Sequence, residues 1–146
     1  MKLKPLSPKL DIIFKKIFSE NKDLLKSLLS AMLDTPLEQI GEVVVLNGEL
    51  MPNEIEGKVS RLDLSAEINN AKVNIEIQIK QQNDYADRSL YYWARMYVSD
   101  LKSGSSYGKL KKTISINILD FNLLKTEDCH SKVEAIIKET GEQFAS

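Results

Sequence analysis

The sequence predicts one α/β domain, a central mixed sheet flanked by helices. Three observations carry this reading. Apolar residues recur at three- to four-residue spacing over 6–33 and again over 85–102, the period of amphipathic helices. Between these stretches lie β-branched and alternating runs, the pattern of strands. A final isoleucine-rich run, 113–121, follows the second helical stretch, so it returns to the sheet through a helical crossover and runs parallel to a neighbour.

In order, Ser7-Pro8 offers an N-cap with proline at the first helical position. Ile13, Phe14, Ile17 and Phe18 form one apolar stripe, and Leu24, Leu25, Leu28, Leu29, Met32 and Leu33 another. The polar run 19–23 divides 6–33 into two helices, with Ser19 or Asn21 capping the second and Thr35-Pro36 ending it. Residues 42–46 form a short strand, and 47–57 read as a loop. Residues 59–69 and 73–80 alternate between faces and join at Asn69-Asn70 as an antiparallel hairpin. A helix over 85–102 stops at Gly104, and 113–121 is the last strand. No repeats or low-complexity tracts interrupt this order.

The 146 residues suit one domain, and a 42% hydrophobic fraction supplies a core. No apolar run reaches the roughly 18 residues of a membrane span. The start, Met1-Lys2-Leu3-Lys4-Pro5, lacks the apolar stretch of a signal peptide. Cys129 is the single cysteine, so no internal disulfide forms, in keeping with a reducing cytoplasm. The balance of 20 basic and 21 acidic residues argues against a sequence-independent DNA coat protein, which would be strongly basic. The balance leaves room for an enzyme that needs carboxylates for a metal and a local basic rim for phosphates.

The second hairpin strand offers such carboxylates. Asn74, Glu76, Gln78 and Lys80 share one face, opposite Val73, Ile75, Ile77 and Ile79. On an ordinary strand that polar face looks at solvent. A three-layer domain would instead cover it with helix. A turn at Asn69-Asn70 sets Asp63 opposite Glu76, and cross-strand Cβ atoms lie about 4.5–5.5 Å apart. Carboxylates that close repel unless a cation or proton separates them. Magnesium, which takes oxygen ligands, suits Asp63, Glu76 and the carbonyl of Ile77, and it would activate a bound water. Gln78 points to the same face and can orient water or bind a phosphate oxygen, but carries no charge.

Asp63 followed by Glu76-Ile77-Gln78 resembles the PD-(D/E)XK nuclease motif, with Gln78 where many members have lysine. More narrowly, the chain resembles the Rpn-type recombination-promoting nucleases, or PD-(D/E)XK nuclease family transposases, in which the ExQ form is usual. The likeness extends over 11–18, 24–33, 58–64, 74–78, 88–97 and 116–121. It implies a restriction-endonuclease-like αβββαβ core and magnesium-dependent hydrolysis of DNA phosphodiesters, with manganese as a substitute. It also implies catalytic roles for Asp63, Glu76 and Gln78, of which Asp63 and Glu76 would be metal ligands, and a place near the site for Asp11. Arg88, early in the helix after the motif strand, is a further candidate for site support. Lys58, Arg61 and Lys80 flank the metal position and are candidates for DNA backbone contacts. DNA is the expected partner, with no membrane, and cutting both strands of a duplex would favour a homodimer.

Members are usually longer. Residues 130–144 read as the approach to a further strand that does not follow, so the single domain, 1–146, is expected to be cut short at its C-terminus. The competing reading is an inactive remnant that binds DNA or protein. A third is a structural domain whose carboxylates face solvent. Of the other candidates, Cys129-His130 is too small a set for zinc. Trp93 and Tyr97 read as core rather than as a stacking platform for bases. The cluster Lys109, Lys111 and Lys112 reads as solvated.

Overall fold

The computed structural model describes residues 11–46, 49–50, 60–61 and 64–144. The predicted division of the first helical stretch is present: α1 spans Asp11–Glu20 and α2 Lys22–Met32. Asn21 makes the break. Its backbone is extended, and its side-chain oxygen accepts from Leu24 N at 3.0 Å, satisfying one of the amides a helix start leaves open. The helix ends as Asp34 turns to φ 48°, just before Thr35-Pro36.

Among the described residues, four strands form a mixed sheet in the order β1-β4-β5-β6: β1 (Val44–Leu46), β4 (Leu64–Ile68), β5 (Ala71–Gln78) and β6 (Thr113–Leu119). Two shorter strands, β2 (Glu49–Leu50) and β3 (Ser60–Arg61), pair apart from it. This corrects one expectation. The 47–57 stretch is not loop throughout, because Glu49–Leu50 pairs with Ser60–Arg61. Within 59–69, Ser60–Arg61 and Leu64–Ile68 are strand.

The hairpin is as predicted. Asn69 and Asn70 have φ 46° and 63°, the two-residue turn that matches strand twist. Leu64 pairs with Ile75 and Ser65 with Asn74, the register that turn dictates. Asn69 also accepts from Gly41 N and donates to Gln39 O, pinning the hairpin to the segment before β1. A Cβ on Gly41 would collide with the Asn69 side-chain oxygen. β6 lies parallel to β5 from Lys72↔Thr113 to Gln78↔Leu119, as expected of a strand entered through a helix.

The sheet has helices on both sides. On one, Phe14, Leu25 and Leu29 of α1 and α2 pack on Leu64, Ala66, Val73 and Ile75, with Ile114, Ile116 and Ile118 alongside. Each such side chain contributes about 1.5–3 kcal/mol by leaving water. On the other lies α3 (Tyr85–Val98), packed on β5 and β6.

Helix α3 stops at Val98, short of the expected 102, and Gly104 (φ 78°) sits in a separate turn closed by Ser105 N to Lys102 O. The physical reason is a polar cap supplied by the sheet. Lys72, 4% exposed, donates to Met96 O at 2.6 Å, Tyr97 O at 3.4 Å and Ser99 Oγ at 3.0 Å, and pairs with Asp100 at 3.1 Å. A cation there meets both the open carbonyls and the negative end of the helix dipole. Lys72→Met should therefore cost about 2–3 kcal/mol in urea unfolding. A loss under about 0.5 kcal/mol, the range of ordinary surface changes, would show that the cap is dispensable.

Candidate functional site

The face of β5 under α3 carries Lys72, Asn74, Glu76 and Gln78. Both faces of the strand are buried from Ala71 to Glu76, so its polar side chains are interior groups. Asn74 is 1% exposed and Glu76 6%. The reading in which these groups merely face solvent fails on that burial. Asn74 Nδ2 donates to Glu76 Oε1 at 3.2 Å, while Asn74 Oδ1 is buried with no hydrogen-bond partner. Its cross-strand neighbour Ser65 likewise has a buried hydroxyl without one. Buried oxygens left unmatched cost about 1–3 kcal/mol each. Two of them, on the strand pair that carries a buried carboxylate, are oxygen donors of the kind a hard cation takes.

Toward the carboxyl end of β5 the face meets α3. Gln78 Oε1 accepts from Arg88 Nη2 at 3.1 Å, and Gln78 Nε2 donates to Lys80 O at 2.9 Å. The amide is thereby oriented, with one N–H and one lone pair still available. Arg88 also donates to Gln82 Oε1 and lies 4.9 Å above the Tyr85 ring. Tyr85 is fully buried, and its hydroxyl donates to Asn117 Oδ1 at 2.9 Å, as does Ser89 Oγ at 3.2 Å. Asn117 pairs with Glu76 along the parallel ladder, so this network adjoins the acidic position.

Of the residues singled out from sequence, Glu76, Gln78 and Arg88 share this face, and Lys80 lies exposed just beyond it. Ile77 turns its side chain to the apolar core. Asp63 and Lys58 lie outside the described residues, as do the side chains of Asp11 and Arg61, although their backbones open α1 and end β3. Among the described residues, no three His, Cys, Asp or Glu side chains cluster. No helix among them is long and apolar enough to cross a membrane.

Asn74, Ser65, Asn117 and Tyr85 were not singled out. Asn74 was legible as a member of the polar face, and the hairpin register places Ser65 beside it. Asn117 and Tyr85 needed the α3–β6 packing, which no local pattern reveals.

The remaining candidates are structural. Trp93 stacks on Tyr97, with centroids 5.3 Å apart and planes at 7°, and donates Nε1 to Thr113 O at 2.9 Å. The pair tethers α3 to β6. Lys111 is engaged with Glu67 at 2.6 Å, a bond that raises the lysine's pKa above its ordinary value. It precedes β6 at the end remote from Gln78, roughly 20 Å along the strand at about 3.3 Å per residue. Cys129 and His130 are exposed. Beyond them the tail forms one antiparallel bridge, Ile136 with Gln143, and Lys132 ties it to Asp34 at 2.8 Å.

A family model described as PD-(D/E)XK nuclease family transposase matches residues 8–146. Searches of curated proteins and of solved structures returned no match.

Proposed function

The chain belongs to the PD-(D/E)XK nuclease family transposases, and on that premise we propose that it is a magnesium-dependent DNA endonuclease serving transposition or recombination. The observation that carries this reading is the burial of Glu76 beside the unmatched oxygens of Asn74 and Ser65, on a sheet face covered by a helix. A carboxylate buried at that position has to be balanced by its partners or by a bound cation, and the oxygen donors around it are of the kind a hard cation takes.

Asp63, Glu76 and the carbonyl of Ile77 would hold the ion. When bound, it would polarise the scissile phosphodiester and lower the pKa of a water. Asn74 holds the Glu76 carboxylate in place through its amide donor. Gln78, oriented by Arg88 and Lys80 O, offers its remaining N–H and lone pair to a phosphate oxygen or to the attacking water. Asp11 supports the site, while Lys58, Arg61 and Lys80 contact the DNA backbone and set its register.

The test is cleavage of plasmid and linear duplex DNA. Millimolar magnesium or manganese is expected to support it, and a chelator to stop it. Asp63→Ala is expected to abolish cleavage while the circular-dichroism spectrum stays native. Unchanged cleavage in that variant would sink the assignment. Absence of cleavage by the wild-type protein, with duplex binding retained, would point to a non-catalytic DNA-binding module.

A further inference from the structure

We propose that Arg88 supplies, from α3, the positive charge that the motif strand lacks at position 78, and that its guanidinium anchors a DNA phosphate beside Glu76. This deepens the nuclease reading and rests on it for the identity of the ligand. Gln78 is neutral, yet its amide oxygen is held by Arg88 Nη2 at 3.1 Å, so a full cation sits one hydrogen bond from the strand. The other partners of Arg88 are Gln82 Oε1 and the Tyr85 ring. None of the three is an anion, and among the described residues no carboxylate neutralises it.

That arrangement is unusual for a half-buried arginine. Interior guanidinium groups normally meet a carboxylate, because unpaired charge away from water is costly. Here Nε is buried without a hydrogen-bond partner, and neutral amides hold the planar fork in one orientation. Guanidinium has five donors suited to phosphate, so a phosphate would supply both the missing charge and the missing acceptors. The platform beneath is rigid: Tyr85 is fully buried and bonded to Asn117.

The experiment measures binding of a fluorescent duplex oligonucleotide to the whole chain, with calcium replacing magnesium and over a range of salt. Arg88→Met is expected to weaken binding about 5- to 20-fold and to lower the salt slope by about one phosphate contact. Adding Gln78→Lys to Arg88→Met returns a cation from the strand and is expected to recover most of that loss. Arg88→Gln, which can keep amide hydrogen bonds to Gln78 and Gln82, serves if the methionine variant does not fold. Wild-type affinity and slope in a folded Arg88 variant overturn the proposal, and so does a double variant no better than Arg88→Met. Duplex binding lost on Arg88 substitution, from a wild-type protein that never cleaves, supports the anchor while removing the nuclease reading. A wild-type protein that does not bind duplex DNA overturns both.

Discussion

Glu76→Gln is expected to reduce magnesium-dependent DNA cleavage by at least about 100-fold while leaving the protein folded. The choice of glutamine matters. Glu76 is 6% exposed and accepts from Asn74 Nδ2 at 3.2 Å. Truncation to alanine would strand that buried amide, costing about 1–3 kcal/mol, and would confound loss of function with loss of structure. Glutamine keeps the shape and one carbonyl-type acceptor, so the bond from Asn74 survives. What it removes is the charge. If Glu76 only completes a buried polar network, cleavage should change little and the melting temperature should hold. If the carboxylate holds a divalent cation, cleavage should collapse at unchanged melting temperature, and excess manganese should restore little of it. Duplex cleavage within about threefold of wild type would remove Glu76 from the metal site.

How much of this was legible in the sequence differs from element to element. The hairpin was, because Asn69-Asn70 encodes its own turn and a two-residue turn fixes register. The helix break at Asn21 was, because a side-chain cap is a local device. The parallel β6 followed from the crossover. The end of α3 was not, because its cap is Lys72, more than twenty residues upstream on a strand. Nor was the ladder of Glu49–Leu50 with Ser60–Arg61, because a two-residue strand carries too little alternation to read. For the site, the motif marked Glu76 and Gln78, and position marked Arg88. Distance then joined Arg88 to Gln78 through a bond spanning ten residues. The burial of Asn74 and the unmatched oxygen it carries required the third layer to be in place.

Those unmatched oxygens yield the second large effect. Asn74→Asp should destabilise the metal-free protein by about 3 kcal/mol or more. The side chain is 1% exposed, so the new carboxylate has almost no access to water. It also replaces the amide that donates to Glu76 with an oxygen facing an oxygen across 3.2 Å. Shape is conserved, so the loss reports the added charge and the lost donor rather than a change in packing. A hard divalent cation should reverse it, because two carboxylates on one face bind such an ion more tightly than one. An ion at 100 times its dissociation constant stabilises by about 2.7 kcal/mol, enough to recover most of the loss. Thermal melts with increasing manganese or magnesium should therefore show a steeper rise for Asn74→Asp than for wild type, with sodium at matched ionic strength producing little. If the variant is destabilised equally at every metal concentration, the buried oxygens of Asn74 and Glu76 do not face a cation. The metal assignment would then fall even if the chain cuts DNA.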